Sequence, residues 1–242
     1  MGPVVYRLLA SSVRGPAHVQ DGLPCQDAWL AVSDPQAVLA VVCDGLGSRP
    51  LSHLGSNAAT RAARDAWRLW RKSTVGSVED LIRLVEIAWR IRLDAVSPSD
   101  AATTLLMYAE DGHGRAAVAQ LGDGLIARQS RSGQTNCYPS QNEPFGTTHA
   151  LGAPHLLSDW RYELVPPLSE GELLLLATDG VSDDLEPATL SEFASWIRED
   201  LGVRPNPSRA LRAELRNWPV PGHRDDKTLL AFWKTGEPCG KS

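Results

Sequence analysis

The sequence predicts an α+β layered domain, and three features of its pattern carry that prediction. Short apolar runs bounded by Gly, Pro or Asp open the chain and return after its middle, which is the signal of strands. Two consecutive amphipathic helices separate those sets of strands. Toward the C-terminus an apolar run, two helical patterns and a last apolar run follow one another. Strand runs alternating with helix pairs describe layers of sheet and helix around a shared core. With 242 residues and 43% hydrophobic content, the chain holds enough apolar surface for one large domain, expected to span residues 1–242.

The elements follow in order. "VVYRLLA", "AWLAVS" and "AVLAVVCD" read as the first strands. From Leu51 to Arg71 the spacing of Leu54, Ala58, Ala62, Ala66 and Leu69 predicts an amphipathic helix with its arginines mostly off that stripe. A second helix follows at "SVEDLIRLVEIAWRIRLD", where Ser77 and Asp80 have the spacing of a capping box and Leu81, Val85 and Ala88 line one face. Strands return at "ATTLLMYA", "RAAVAQLG" and "GLIARQS". The polar stretch from Ser130 to Asp159, with its Gly and Pro, predicts an irregular loop or small flap. "GELLLLATD" is a strand, "TLSEFASWIRED" and "SRALRAELRNW" are helical, and "TLLAFWK" is the last strand.

Composition excludes several function classes. A formal net charge of −5 gives no overall positive field to attract nucleic acid or acidic lipid. "VVYRLLASSV" is too short and, with Arg7 inside it, too polar for a signal peptide or membrane span, so no membrane partner is expected. Cys25, Cys43, Cys137 and Cys239 form no CxxC pair, which argues against a zinc site or disulfide framework and suits a reducing cytoplasm.

Asp-Gly occurs five times. It is the favoured dipeptide of a tight hairpin, and at Asp111-Gly112, between two strand-like runs, that explanation suffices. Asp21-Gly22 sits in a loop. After Asp44 and Asp179 the chain does not return at once as a strand, so the hairpin explanation fails there; at Asp123 a hairpin and a site remain open. Asp225 and Asp226 stand just before the last strand, and Asp183 and Asp184 follow Asp179 closely. Carboxylates gathered at strand ends without matching bases repel one another, and a divalent cation is the usual way to offset that repulsion. Oxygen-only ligands select magnesium or manganese over zinc or copper. Two such ions roughly 3.5–4 Å apart lower the pKa of a bridging water and align it for attack on phosphorus.

Competing motifs fail at their defining positions. "DGLGSRP" resembles the start of a phosphate-binding loop, but the third glycine of GxGxxG falls at Pro50 and no GK[ST] follows. No GxSxG elbow is present. His53, His113 and His223 read as surface or turn residues.

Taken in order, "GLPCQDAW", "VVCDGLGS", "ATTLL", "AVAQLGDGLIA", "LLLLATDGVSDDL" and "RDDKTLL" resemble the motifs of the metal-dependent type 2C protein phosphatases, especially their compact bacterial branch. The resemblance spans nearly the whole chain. It implies a sandwich of two antiparallel β-sheets flanked by paired α-helices, a binuclear Mn2+ or Mg2+ centre at one end, and hydrolysis of phosphoserine and phosphothreonine in proteins by attack of a metal-bridging water. It implies that Asp44 bridges the metals, that Gly45 offers its carbonyl, and that Asp179 and Asp225 are the other aspartate ligands. Asp27 would hold water behind the metals, Asp123 and Asp183 would hold a weaker third ion, and Asp226, standing where the family often has asparagine, would support its neighbours and not ligate. A phosphoprotein that is the target of a Ser/Thr kinase would be the partner.

Three positions depart from the family pattern. Gln26 replaces an acidic residue, Gly22 replaces a phosphate-binding arginine, and Leu46 stands where some eukaryotic members carry a histidine acid. Losing the arginine removes a bidentate clamp on phosphate. A pseudophosphatase, serving as a binding or regulatory module, is therefore the alternative to an active enzyme. His18, Arg14 and Arg49, in loops beside the metal-site strands, are the candidate replacements for the clamp.

Overall fold

The computed structural model describes residues 5–73, 76–138, 149–220 and 222–235. Two five-stranded antiparallel sheets form the centre. The first sheet is ordered β1 (Val5–Val13), β10 (Lys227–Thr235), β9 (Leu173–Ala177), β6 (Leu125–Gln129), β7 (Thr135–Tyr138). The second is ordered β2 (Ala28–Ser33), β3 (Val38–Cys43), β4 (Leu105–Glu110), β5 (Ala116–Leu121), β8 (Arg161–Val165). Helices α2 (Ser52–Trp70) and α3 (Val78–Leu93) pack on the outer face of the second sheet, and α5 (Leu190–Glu199) and α6 (Pro207–Arg216) on that of the first. Two short helices, α1 (Pro16–Gln20) and α4 (Asp179–Ser182), sit in loops.

These four layers explain why the strands are apolar without alternation. In β3, Val38, Ala40 and Val42 fill the space between the sheets, while Leu39, Val41 and Cys43 meet the helices. In β9, Leu174 and Leu176 point inward and Leu173, Leu175 and Ala177 face the helical side. A strand covered on both faces must be apolar at every position, which is the origin of the four-leucine run.

Helix α2 differs from its predicted face. Leu54 and Leu69, placed on the buried stripe by spacing, are 43% and 57% exposed, whereas Ala59, Ala63, Trp67 and Trp70 are buried together with Ala62 and Ala66. Close approach sets this face: a Cβ on Gly55 would lie 1.7 Å from the carbonyl oxygen of Ala101. The buried indoles keep their polar atoms paired, Trp67 Nε1 donating to Glu110 O at 2.6 Å and Trp89 Nε1 to Gly55 O at 3.0 Å. The capping box of α3 forms as the spacing predicts, Ser77 and Asp80 exchanging both bonds.

The stretch expected to be irregular contains β7, an edge strand paired with β6, and a 3-10 turn at Leu157–Asp159. Residues 139–148 of that stretch lie outside the described residues. Strand β8 escaped the sequence pattern because "RYELV" is half exposed and carries charge at alternate positions. Among the described residues no helix is long and apolar enough to cross a membrane.

Candidate functional site

Strand register brings the aspartates to one end of the sandwich. Ala28 pairs with Cys43, so Asp27 and Asp44 are the next residues beyond that rung. Leu229 and Leu125 both pair with Ala177, which sets Thr178 and Asp179 beside the entry to β10 and the start of β6. Leu105 pairs with Leu121, placing Asp123 at the same end. The Asp123-Gly124 turn is not a hairpin within one sheet: it carries the chain from β5 in one sheet to β6 in the other.

The backbone at Asp44 is pinned by the "ATTLL" block. Asp44 N donates to Thr104 Oγ1 at 3.0 Å, while Thr103 Oγ1 and Thr104 N each donate to Asp44 O at 2.8 Å. Gly45 is buried where the loop folds onto α2, and a Cβ there would stand 2.8 Å from the backbone of Ser52. Asp27 is held from the other side: Thr178 Oγ1 donates to its Oδ2 at 2.9 Å and accepts the amide of Thr228 at 3.0 Å.

Charge is concentrated at this point. Burial pushes the Asp44 carboxyl well above the usual range, and the adjacent charges of Asp27 and Asp179, both within hydrogen-bond reach, push it further. Asp27 is raised by burial. Asp179 is pushed up to about 6 by burial, with Asp123 and Asp225 adding repulsion. Asp183, more exposed, is raised by partial desolvation and then by Asp123 and Asp184. Asp225, Asp123 and Asp183 lie toward solvent at the rim, and Asp44 and Asp179 lie deeper.

Oδ1 of Asp27 is buried without a hydrogen-bond donor. An orphaned carboxylate oxygen facing other carboxylates, in a donor set made only of oxygen, fits a hard cation. No three acidic, histidine or cysteine side chains among the described residues already converge on a common point. Asp44 pairs with each neighbour separately, so the fit rests on donor chemistry and burial and not on a preformed coordination shell.

Asp226 is spent on the backbone. Its Oδ1 accepts Gly15 N and its Oδ2 accepts Gln26 N, both at 2.6 Å, clasping the segment from residue 15 to 26 onto the start of β10. His18 Nδ1 lies 3.0 Å from the same Asp226 Oδ1. Arg14 turns elsewhere, Nη1 donating to Leu23 O at 3.0 Å, and lines a cavity together with Asp225. Arg49 is exposed and forms no ion pair among the described residues. Gly22 occupies a left-handed turn at φ +70° with open space around its α-carbon.

One histidine placed on the surface by the sequence pattern belongs to the site's edge. His223 is largely buried, its Nδ1 2.9 Å from Asp184 Oδ2, and Trp218 Nε1 donates to that same oxygen at 2.7 Å. His223 Nε2 is buried without a partner and faces Gly180. The only sequence signal for this cluster is its adjacency to the "HRDD" run.

A family model, Protein phosphatase 2C, matches residues 14–218 of the 242. The chain belongs to the protein phosphatase 2C family. Solved structures agree at the level of the fold. One is the catalytic domain of the serine/threonine protein phosphatase PstP with two manganese ions, at 17% identity and TM-score 0.65, covering 96% of this chain and 100% of that one. MsPP from Mycobacterium smegmatis, a PPM Ser-Thr phosphatase in complex with cacodylate, matches at 21% identity and TM-score 0.62, covering 97% and 100%. RsbX in complex with magnesium matches at 14% identity and TM-score 0.63, covering 97% and 98%. No curated protein matches the chain at a significant level of sequence similarity. The two-sheet sandwich with paired outer helices is thus the protein phosphatase 2C fold, and the aspartate cluster lies at one end of it.

Proposed function

We propose that this chain, residues 1–242 acting as one domain, is a metal-dependent phosphoprotein phosphatase that hydrolyses phosphoserine and phosphothreonine. Asp44, the Gly45 carbonyl, Asp179 and Asp225 would hold two divalent cations, Mn2+ or Mg2+, with Asp123 and Asp183 suited to a weaker third. The observation that carries this reading is the strand register that brings Asp27, Asp44 and Asp179 to one end of the sandwich, where Oδ1 of Asp27 is buried without a donor. Uncompensated, such a cluster is costly, and its oxygen-only donors suit hard cations.

When bound, such a pair of ions supplies a water of lowered pKa and positive charge for the phosphoryl oxygens. The chain's own groups provide the geometry. Thr103 and Thr104 fix the backbone of Asp44, and Thr178 fixes one oxygen of Asp27, so the chain positions at the site are held while the free carboxylate oxygens are left to adjust to a cation. Asp27, with one oxygen satisfied and one free of donors, would hold a water at the site through that free oxygen. Asp226 holds the loop that carries Gln26 and Asp27, so it acts by positioning. Of the candidate phosphate contacts, Arg14 lines the same cavity as Asp225, His18 lies against Asp226 without a hydrogen bond to it, and Arg49 stands on the loop after Gly45. The partner would be a phosphoprotein made by a Ser/Thr kinase, met in the cytoplasm.

A second reading, a pseudophosphatase, is favoured by Gly22. An arginine there would need a φ of +70°, a conformation L residues rarely take, so the usual clamp does not fit this backbone. Phosphate release from a phosphoserine peptide and from p-nitrophenyl phosphate, with Mn2+ and with chelator, separates the two. Mn2+-dependent release supports the enzyme; no release with a correctly folded, metal-loaded protein supports the binding module.

A further inference from the structure

Helix α6 carries a row of cations. Arg209, Arg212 and Arg216 stand at i, i+3 and i+7, on one side of the helix beside the buried stripe of Leu211 and Leu215. All three are exposed, and none forms an ion pair or hydrogen bond through its side chain among the described residues. The one acid of the same helix, Glu214, faces Arg204 instead, at 3.6 Å. In a chain of net charge −5, three unanswered arginines in line make a local field opposite to the overall one.

The row borders a trough that reaches the aspartate cluster. One cavity of about 720 Å3 is lined by Arg212 and Arg216 with Arg14, Lys227 and Asp225. A second, of about 470 Å3, is lined by Arg209 and Arg212 with Ser11, Ser12 and Trp29. Arg212 lines both, so the two cavities are neighbours along α6 and β1, and the first of them reaches Asp225. The walls offer guanidinium groups, hydroxyls and indoles set among apolar side chains such as Val13, Val19 and Leu215, a surface for the anionic side chains and aliphatic stems of an extended backbone. From Arg209 to Arg216 the helix rises about 10 Å, the length of roughly three extended residues.

We propose that this trough binds an acidic stretch of the substrate polypeptide, a few aspartates, glutamates or further phosphoresidues flanking the phosphoserine or phosphothreonine presented at the aspartate cluster. The proposal rests on the phosphatase reading above and names its substrate class. It also accounts for an enzyme without the arginine at position 22: affinity comes from the flanking sequence and not from a clamp on the phosphate itself. Rim charges of this kind steer encounter and fix register.

The test compares wild type with Arg212→Gln/Arg216→Gln in Mn2+ on three substrates: a phosphoserine peptide flanked by aspartates, the same peptide with asparagines, and p-nitrophenyl phosphate. Wild type should favour the acidic peptide by about fivefold or more in kcat/KM, as two exposed charge pairs allow. The gap should shrink in high salt, and the double variant should close it through KM while p-nitrophenyl phosphate kinetics stay unchanged. Equal kcat/KM for both peptides in wild type, or a preference retained in the variant, overturns the proposal. Should no substrate be hydrolysed, the phosphatase reading fails, and the trough is read separately by fluorescence anisotropy of the labelled acidic peptide. Binding by wild type that the variant loses then upholds the trough, and equal or absent binding overturns it. Tighter binding of a single-stranded oligonucleotide or of phosphatidylserine vesicles than of the acidic peptide also overturns it.

Discussion

The hydroxyl of Thr178 donates to Oδ2 of Asp27 at 2.9 Å, joining the end of β9 to the start of β2 across 151 residues of sequence. The same hydroxyl accepts the amide of Thr228, so one side-chain oxygen ties three strands together at the mouth of the sandwich. Thr178→Val keeps the shape and removes both bonds. We predict a loss of about 1–3 kcal/mol in urea unfolding and weaker Mn2+ affinity, with Thr178→Ser restoring most of both. Unchanged stability and affinity in the valine variant would show that the hydroxyl does not hold Asp27.

Asp44→Asn is predicted to abolish Mn2+-dependent turnover while raising stability in chelator. The substitution removes a partly buried charge beside Asp27 and Asp179 and changes little volume. Because the carboxyl of Asp44 is raised in the folded chain, its ionisation opposes folding, so the gain should be present at neutral pH and fade in acid. Thermal melts with EDTA at two pH values check the direction.

Gly180→Ala is predicted to damage the site without touching a candidate ligand. A Cβ at this position would lie 1.9 Å from the carbonyl oxygen of Asp226, a backbone atom that cannot move without shifting β10. A cost of about 1–3 kcal/mol is expected, with turnover reduced more than tenfold because α4 and the start of β10 carry Asp179 and Asp225. Wild-type kinetics in this variant would refute the close approach of α4 and β10.

Far from the aspartates, Glu86 accepts from Trp160 Nε1 at 2.9 Å and lies 2.9 Å from His155 Nε2. The hydrogen bond from His155 holds the Glu86 carboxyl below its usual range, and the Glu86 partner raises His155. The depressed carboxyl stabilises the fold above its unfolded value of 4.5, and the raised imidazole stabilises it below 6.5, with that part lost as pH rises through the folded value. His155→Gln should therefore lower Tm more at pH 5.5–6 than at pH 8. A pH-independent shift would mean that the pair acts only through packing.

The layers were legible because burial on both faces forces long apolar runs, as in β3 and β9, and because the Asp-Gly steps after Asp44 and Asp179 lacked returning strands. The gathering of the carboxylates at one end follows from antiparallel register, which spacing alone does not reveal. Small residues hid the true face of α2: hydrophobicity favours Leu54 and Leu69, but Gly55 and the alanines permit the closest contact and so decide which side is buried. Strand β8, half exposed and charged at alternate positions, gave no apolar run of the kind that marks the other strands. His223 was missed because a histidine's burial depends on distant partners, here Asp184, whose carboxylate also accepts from Trp218.

That the carboxylates around Asp44 form a site for paired cations is tested most directly by isothermal titration calorimetry of Mn2+ into wild type and Asp44→Asn at neutral pH. The account predicts at least two Mn2+ per chain for wild type, with both tight sites lost in the variant. Absence of Mn2+ binding by wild type, or the same stoichiometry and affinity in Asp44→Asn, would contradict it.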